Sequence, residues 1–282
     1  MLLAAEKRMQ SVPEWVADVA RFELGLAGYL ATFAVFFLTV ERLWPAVPNQ
    51  RLWRRGTRTD LLLSFLNPLV VQPANAYLTA AVVSAVLLAT DPRFIETQRA
   101  AMAAQPMWIQ FVAATILADL AAYWKHRLFH MRWLWPFHAV HHSATEVDWL
   151  TNERDHPVQL LGTYFIGGVV LILAGVSPEM VGLQALLRRF YSLYTHANLN
   201  WSYGPLNRIL VSPAVHRWHH STDARMAGKN FAVVFSLFDV IFGTYCVPEG
   251  KQPVAFGLPD RSTREGFLAA LGHPLAHVIG AR

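Results

Sequence analysis

The chain has 282 residues, of which 54% are hydrophobic and 15% are charged, whereas about 25% of the residues of a typical soluble domain are charged. The net charge is +5, but the basic residues lie beside apolar segments and not on one polar face, which disfavours nucleic-acid binding. The single cysteine, Cys246, excludes an internal disulfide and a multi-cysteine zinc or iron–sulfur site. The composition therefore predicts an integral membrane protein.

Apolar segments alternate with polar ones along the first half of the chain. Residues 1–23 mix charged and apolar side chains, which predicts a short amphipathic helix and no cleavable signal peptide. Spanning helices are predicted at residues 24–40, 61–88 and 107–124, and the polar segment 89–106 is expected to be a loop.

A break at residues 175–178 separates two further apolar segments, 158–174 and 180–187. Gly175 can adopt positive φ and Ser177 precedes a proline, so this break predicts a tight turn. The two segments are expected to form a hairpin that enters the bilayer and returns. The predicted fold is an all-α integral membrane bundle with about four spanning segments and a cytoplasmic helical metal-binding cap.

Eight of the 12 histidines fall into three clusters. The clusters are His126 and His130; His138, His141 and His142; and His216, His219 and His220. Residues three or four apart share one helix face, so each cluster can direct two imidazoles at one point. Neutral imidazole binds iron, zinc, copper and nickel, and eight such ligands exceed what one ion needs. The clusters therefore predict a two-metal centre. A single pair would more often be structural, but this many buried histidines would each need their own hydrogen-bond partners.

The distribution of positive charge predicts the orientation in the membrane. If the loop 42–58 is cytoplasmic, alternation of the spans places residues 125–157 and 188–282 on the same side. These three segments hold 19 of the 24 lysines and arginines, in agreement with the positive-inside rule. The same assignment places all three histidine clusters on the cytoplasmic side, as a shared site requires.

The order H-x-x-x-H, H-x-x-H-H and a distant H-x-x-H-H among spanning helices resembles the fatty acid hydroxylase/sterol desaturase superfamily. The similarity extends to Asp119, to the segment NERDHP at 152–157, to His196 with Asn198, and to DVIFGT at 239–244. The resemblance implies a membrane-embedded catalytic domain over residues 24–250, preceded by the amphipathic segment and followed by a tail at 251–282.

The resemblance also implies an activity, that of a membrane-bound non-haem di-iron monooxygenase. Such an enzyme hydroxylates or desaturates a C–H position of a lipid, using O2 and electrons from NAD(P)H. Two iron ions would be the cofactors, with no bound haem or flavin. Electrons would come from a separate cytochrome b5-like protein, ferredoxin or reductase. The chain ends without an endoplasmic-reticulum retrieval signal, which favours a bacterial inner membrane.

Carried over to this chain, the resemblance assigns nine metal ligands and no other catalytic side chain. The nine are His126, His130, His138, His141, His142, His196, His216, His219 and His220. Four residues are assigned either to metal binding or to contact with a ligand: His156, Asn200, Asp119 and Asp223. Asp119 precedes His126 by two helical turns and is expected to orient a ligand imidazole, a role that Asp155 could share. Some relatives have a histidine where Asn200 stands, which suggests an open coordination position.

Three other classes of protein remain compatible with the sequence. A zinc-dependent membrane hydrolase would contain zinc and no iron. A haem protein would need only two or four histidines inside apolar helices, whereas these lie at helix ends and in polar segments. A metal transporter would place its ligands near the bilayer midplane. The soluble di-iron class is disfavoured because the spanning helices lack Glu-x-x-His.

Overall fold

A computed structural model describes residues 14–91, 93–258 and 266–278, so part of the predicted amphipathic segment lies outside the described residues. Regular structure in these ranges is helical, which confirms the predicted all-α fold. The α-helices are α1 (Glu14–Leu43), α2 (Thr57–Ala89), α3 (Phe94–Ala103), α4 (Met107–Phe129), α5 (Trp135–His142), α6 (Pro157–Leu173), α7 (Pro178–His196), α8 (Pro213–His219), α9 (Leu237–Ile241) and α10 (Phe267–Val278).

Helices α1, α2 and α4 each contain a stretch long and apolar enough to cross a membrane. They match the three predicted spans but are longer than predicted. Helix α1 already begins at Glu14, so the expected boundary between residues 23 and 24 is not a break in the backbone. The charged residues before position 24 change the polarity of the segment, but Glu and Arg are good helix formers and the helix continues. Helix α2 likewise continues through Pro68 and Pro73.

The segment 89–106, expected to be a loop, contains the short helix α3. Its Ala, Met, Glu, Gln and Arg residues favour a helix even though its polarity suggested a loop. Helix α3 abuts the turn of the predicted hairpin. Gly175 has φ +74°, and a Cβ there would lie 2.3 Å from the carbonyl carbon of Gln98. Only glycine fits this turn, because it allows both the left-handed backbone and the close approach.

The hairpin formed by α6 and α7 is built around α4, since each of the two helices packs against it. Helix α6 also packs against α2, and α7 packs against α8. Apolar side chains of α1 cover the outer face of α7, where the rings of Phe37 and Phe190 lie 5.7 Å apart. Ser177 begins α7 by accepting the Met180 N–H at 3.4 Å, with Pro178 in the first turn.

Long-range polar contacts gather the connecting segments at one end of the spanning helices. The N–H of Ala46, just after α1, donates to Asn198 O at 2.9 Å, just after α7. Arg54, before α2, forms a buried ion pair with Asp148 at 2.5 Å. His126, near the end of α4, therefore lies at the same end as these segments. The histidine clusters thus share one end of the bundle, as the sequence predicted.

Candidate metal centre

The nine predicted ligands come together as two compact groups of buried or nearly buried imidazoles. The first group contains His126, His130, His138, His142 and His219. The second contains His141, His196, His216 and His220. Within each group one ring nitrogen per residue lies within 4.8 Å of the others. The groups are formed by α4 and α5 together with the ends of α7 and α8, two parts of the chain that are more than 50 residues apart at the histidines.

The first group contains two ring nitrogens that face each other without a proton between them. His126 donates from Nδ1 to Phe231 O over 2.8 Å, so the neutral ring has a lone pair on Nε2. His138 donates from Nδ1 to Gln159 Oε1 over 2.6 Å, which leaves a lone pair on its Nε2 as well. The two Nε2 atoms lie 2.9 Å apart. A cation bound by both removes the repulsion between these lone pairs.

The second group has the same arrangement around His196. Its Nδ1 donates to Ser192 O over 2.7 Å, so its Nε2 is an acceptor. That atom lies 3.0 Å from His216 Nε2 and 3.1 Å from the Nε2 atoms of His141 and His220. One lone pair cannot accept hydrogen bonds from three rings at once. Two nitrogens at right angles on one ion, at a metal–nitrogen distance of about 2.1 Å, are about 3 Å apart, so the spacing fits a shared ion.

Several ring nitrogens of the centre are buried with no hydrogen-bond partner among the described residues. Two of them, the Nε2 atoms of His130 and His219, belong to the first group, and His219 already donates from Nδ1 to Lys229 O, which leaves its Nε2 for a metal. Orphaned buried polar atoms are uncommon in native structures and point to a group that satisfies them. The donor set, consisting of neutral nitrogens only, suits iron or zinc.

Burial keeps the imidazoles outside the spanning helices neutral. Burial, reinforced by the neighbouring imidazoles, holds the pKa values of His138 and His142 well below their ordinary value. Burial lowers the pKa of His219 to about 4, against the opposing effect of its hydrogen bond to Lys229 O. Neutral imidazole is the form that binds a metal, so these rings need not lose a proton at pH 7.

Two buried carboxylates hold the loop that orients His126. Asp119 accepts the N–H of Val234 at 3.1 Å and that of Phe235 at 2.8 Å. Asp239 accepts the N–H of Phe231 at 2.8 Å. The sequence predicted that Asp119 orients a ligand ring. The structure shows that Asp119 contacts the loop whose Phe231 carbonyl accepts from His126.

Asp155 and Gln159 connect the two groups, although no sequence motif predicted a role for Gln159. Gln159 accepts from His138 and donates from Nε2 to Asp155 Oδ1 at 2.5 Å. The same Asp155 oxygen lies 3.2 Å from His141 Nδ1, in the second group. The available signal was the four-residue spacing of Asp155 and Gln159 at the start of an apolar helix.

Three residues assigned by resemblance lie outside both groups. His156 caps α6, accepting the Val158 N–H at 3.2 Å, and its Nε2 lies 3.3 Å from Leu271 O. Asn200 is exposed and accepts a hydrogen bond from the Gln252 side chain. Asp223 accepts from Arg225 in an exposed turn. At position 156 the chain itself lies beside the centre, but the His156 ring faces Leu271 O and the N–H of Val158.

A cavity of about 810 Å³ opens from the histidines into the space between the spanning helices. Five of the nine imidazoles line it: His126, His138, His141, His196 and His216. Its far part is lined by small and apolar residues, among them Gly167, Gly168 and Leu171. Gln159 and Leu171 both line it, and 12 residues of α-helix span about 18 Å. An extended apolar chain fits this shape.

The fold and the site define a membrane protein with a buried two-part histidine centre that faces an elongated cavity. A model of the family described as fatty acid hydroxylase matches residues 111–244, which include all nine histidines. Ornithine lipid hydroxylase OlsE from Rhizobium tropici is 30% identical over 88% of this chain and 74% of its own length. The chain belongs to the fatty acid hydroxylase family, which confirms the family resemblance read from the sequence and the prediction of an oxidoreductase.

Other similar proteins show how varied this family is. Alkylglycerol monooxygenase from Danio rerio is 30% identical over 54% of this chain and 32% of its own length. Methylsterol monooxygenase 2-2 from Arabidopsis thaliana is 30% identical over 49% of this chain and 54% of its own length. No solved structure matches this chain.

Proposed function

We propose that this protein is a membrane-bound, non-haem di-iron monooxygenase that hydroxylates a C–H position of a lipid. The observation that carries the proposal is the pair of histidine groups, in which ring nitrogens face each other at 2.9–3.2 Å and those of His126, His138 and His196 carry no proton. Five imidazoles would hold one ion and four would hold the other. When bound, the iron pair supplies activation of O2 for attack on an unactivated C–H bond.

The protein's own groups keep the ligands in one protonation state and one orientation. Phe231 O and Gln159 hold the Nδ1 protons of His126 and His138, so that each Nε2 presents its lone pair. Ser192 O does the same for His196. Such outer partners fix the ring orientation and raise the basicity of metal ligands. The side chains around the centre are therefore arranged for metal binding and not for nucleophilic attack.

The lipid substrate is supported by the shape of the cavity and by the relatives. The cavity runs from the histidines along α6 and α7, and its polar end is the histidine end. OlsE, alkylglycerol monooxygenase and methylsterol monooxygenase are all named for lipid oxidation. Burial of an alkyl chain along the cavity would exclude water from the reacting carbon, and the polar end would place that carbon beside the histidines.

The proposal also covers the source of the electrons, the orientation of the protein in the membrane and the limits of the catalytic domain. Electrons from NAD(P)H would reach the centre through a separate redox partner. The histidine end would face the cytoplasm in a bacterial inner membrane, because the segments 42–58, 125–157 and 188–282 hold 19 of the 24 basic residues of the sequence. The catalytic domain would cover residues 24–250.

The deciding experiment is metal analysis of detergent-purified protein, with a Mössbauer spectrum after growth on iron-57. We expect about two irons per chain and the spectrum of a coupled pair, as two groups of imidazoles would hold. Zinc without iron, after anaerobic purification with iron supplied, contradicts the proposal and supports a zinc-dependent hydrolase. Comparison of lipids from wild-type and deletion strains, grown in ¹⁸O2, then identifies the hydroxylated product.

A further inference from the structure

The cavity beside the histidines contains a buried lysine whose charge is not neutralised by direct contact. Lys125 immediately precedes His126 in α4, and only 8% of its surface is exposed. Its ammonium lies 5.6 Å from the centroid of the Phe129 ring. No acidic oxygen of the described residues lies within ion-pair distance of it. A buried charge without a close partner is costly unless a ligand supplies one.

A second cation, Arg188, lines the same cavity from α7. Its Nε atom is buried and has no hydrogen-bond partner among the described residues. The nearest carboxylate oxygen, on Asp119, is 3.9 Å away, beyond hydrogen-bond reach. Asp119 already accepts the N–H groups of Val234 and Phe235, so it is committed to the loop. The guanidinium therefore keeps donors available for a ligand.

The other ionised groups that line the cavity are engaged with the protein. Arg189 is paired with Glu153 and donates to the Tyr29 hydroxyl at 3.2 Å. Asp155 accepts from Gln159 and lies beside His141. Lys125 and Arg188 thus bring two positive charges to the lining of one cavity, and neither makes a hydrogen bond to a carboxylate of the described residues. An anion bound between them would supply the missing partner.

A buried acceptor lines the same cavity farther from the histidines, since Gln184 precedes His196 by 12 residues of α7, or about 18 Å of helix. Gln184, one turn before Arg188 in α7, donates from Nε2 to Val181 O at 3.1 Å. Its Oε1 is buried and has no hydrogen-bond partner among the residues described. This oxygen can receive a hydroxyl or amide N–H of a ligand. The cavity thus offers two cations nearer the histidines and one acceptor farther along it.

From this arrangement we propose that the substrate is an anionic lipid whose carboxylate or phosphate binds between Lys125 and Arg188. The inference rests on the proposed function and specifies its substrate class. The apolar chain of the lipid would extend toward Leu171, at the end of α6 away from the histidines. The carbon presented to the histidines then belongs to the head side of the lipid and not to the end of its tail.

The test is equilibrium binding of two matched probes to the purified holoprotein in neutral detergent. Tetradecanoic acid carries a carboxylate, whereas tetradecan-1-ol has the same chain and no charge. We expect the acid to bind about tenfold more tightly or better, because charge-assisted hydrogen bonds are among the strong ones. Equal binding of acid and alcohol would overturn the proposal.

Variants assign the preference to the two cations. Lys125→Met and Arg188→Met should each weaken binding of the acid about tenfold and leave binding of the alcohol unchanged. Lys125→Arg and Arg188→Lys should keep most of the preference, and they report on folding as well. Arg132→Met, which removes an exposed charge outside the cavity, is the matched control. A double methionine variant that still prefers the acid would contradict the assignment.

Two further measurements separate the alternatives. Acetate and inorganic phosphate should not displace the acid at equal concentration, and displacement by either would indicate a site for a free anion and overturn the lipid assignment. Iron content is measured on every variant. If the wild-type protein contains no iron but still prefers the acid, the proposed function is wrong and the anion site stands. If the protein contains iron but shows no preference for the acid, the anion site is wrong and the proposed function stands.

Discussion

Gln159 donates to the carboxylate of Asp155 over 2.5 Å, and this one hydrogen bond joins the surroundings of both histidine groups. Gln159 orients His138 in the first group, and Asp155 lies 3.2 Å from His141 in the second. The two groups are therefore connected through the side chains of Gln159 and Asp155.

Substitution Gln159→Leu removes both hydrogen bonds at nearly constant volume. We expect the apparent affinity for iron to fall by about 10- to 100-fold, the usual effect of losing a partner of a metal ligand. Competition with a chelator, followed by iron analysis, measures this change. Gln105→Leu replaces an exposed glutamine far from the histidines and should have no effect. Unchanged iron retention in the Gln159 variant would show that the amide does not orient His138.

If each histidine group holds one ion, substitutions in the two groups should each remove one of the two irons. His219→Ala removes one ligand of the first group, and His216→Ala removes one ligand of the second. Each variant should retain about one iron per chain and lose hydroxylation, because each group would hold one ion. His156→Ala should retain both irons, since His156 lies outside the groups. Loss of iron from the His156 variant, at normal thermal stability, would mean that the assignment of ligands is incomplete.

The histidine spacings predicted the clusters because i, i+3 and i, i+4 positions share a helix face, which is a local property. His196 could be added because the family resemblance covers its surroundings. Its role as an acceptor depends on Ser192 O, one turn earlier in the same helix. The cavity cation Lys125, one residue from His126, carried no separate signal, since a lysine at a helix end is usually solvated.

Contacts between distant segments could not be predicted in the same way. The sequence predicted that Asp119 orients a ligand imidazole directly. In the structure its carboxylate oxygens accept hydrogen bonds from backbone N–H groups 115 and 116 residues away. Asn200 and Asp223 lie near the clusters in sequence, yet the turns that follow α7 and α8 direct them to the surface. These outcomes depend on loop paths, which a single sequence does not specify.

Removal of the Asp119 carboxylate should loosen the loop that orients His126. In Asp119→Ala the N–H groups of Val234 and Phe235 lose their acceptor, and each unsatisfied buried group costs about 1–3 kcal/mol. We expect a lower thermal midpoint in detergent and faster loss of iron to a chelator. Asp119→Asn keeps one acceptor oxygen and should fall between the wild type and the alanine variant.

The matched control for this loop is Asp223→Ala, which removes an exposed carboxylate bonded to Arg225. It should leave both the midpoint and the iron retention unchanged. Equal effects of the two alanine variants would show that Asp119 has no special role in holding the loop.

The metal-free protein should become less stable in mild acid. His219 has its pKa lowered from 6.5 to about 4 by burial. Its folded form stays neutral in this range while the unfolded chain takes up a proton, so stability is full above pH 6.5 and declines as the pH falls toward 4. Thermal midpoints of chelator-treated protein between these values measure the decline. His219→Gln should make the curve shallower, and an identical curve would exclude His219 as a contributor.

The last prediction concerns Gly56, which lies against the buried ion pairs beside the centre. A Cβ at Gly56 would lie 1.8 Å from Arg154 Nη2, and Arg154 is held by Asp60 at 2.5 Å. The guanidinium cannot move away without giving up that pair, so Gly56→Ala should destabilise the protein strongly. Gly204→Ala is the control, because Gly204 also has positive φ, at +58°, but has open space around it.

The control variant should cost only the left-handed strain, about 1–2 kcal/mol. The excess loss in Gly56→Ala then measures the clash with Arg154 together with the added strain of an alanine at φ +90°. Because Arg154 adjoins Asp155, whose carboxylate lies beside His141, the Gly56 variant should also lose iron faster than the Gly204 variant does. Equal thermal midpoints for the two variants would mean that Arg154 can move without loss of stability. The ion pair between Arg154 and Asp60 would then not be needed to hold Asp155 beside His141.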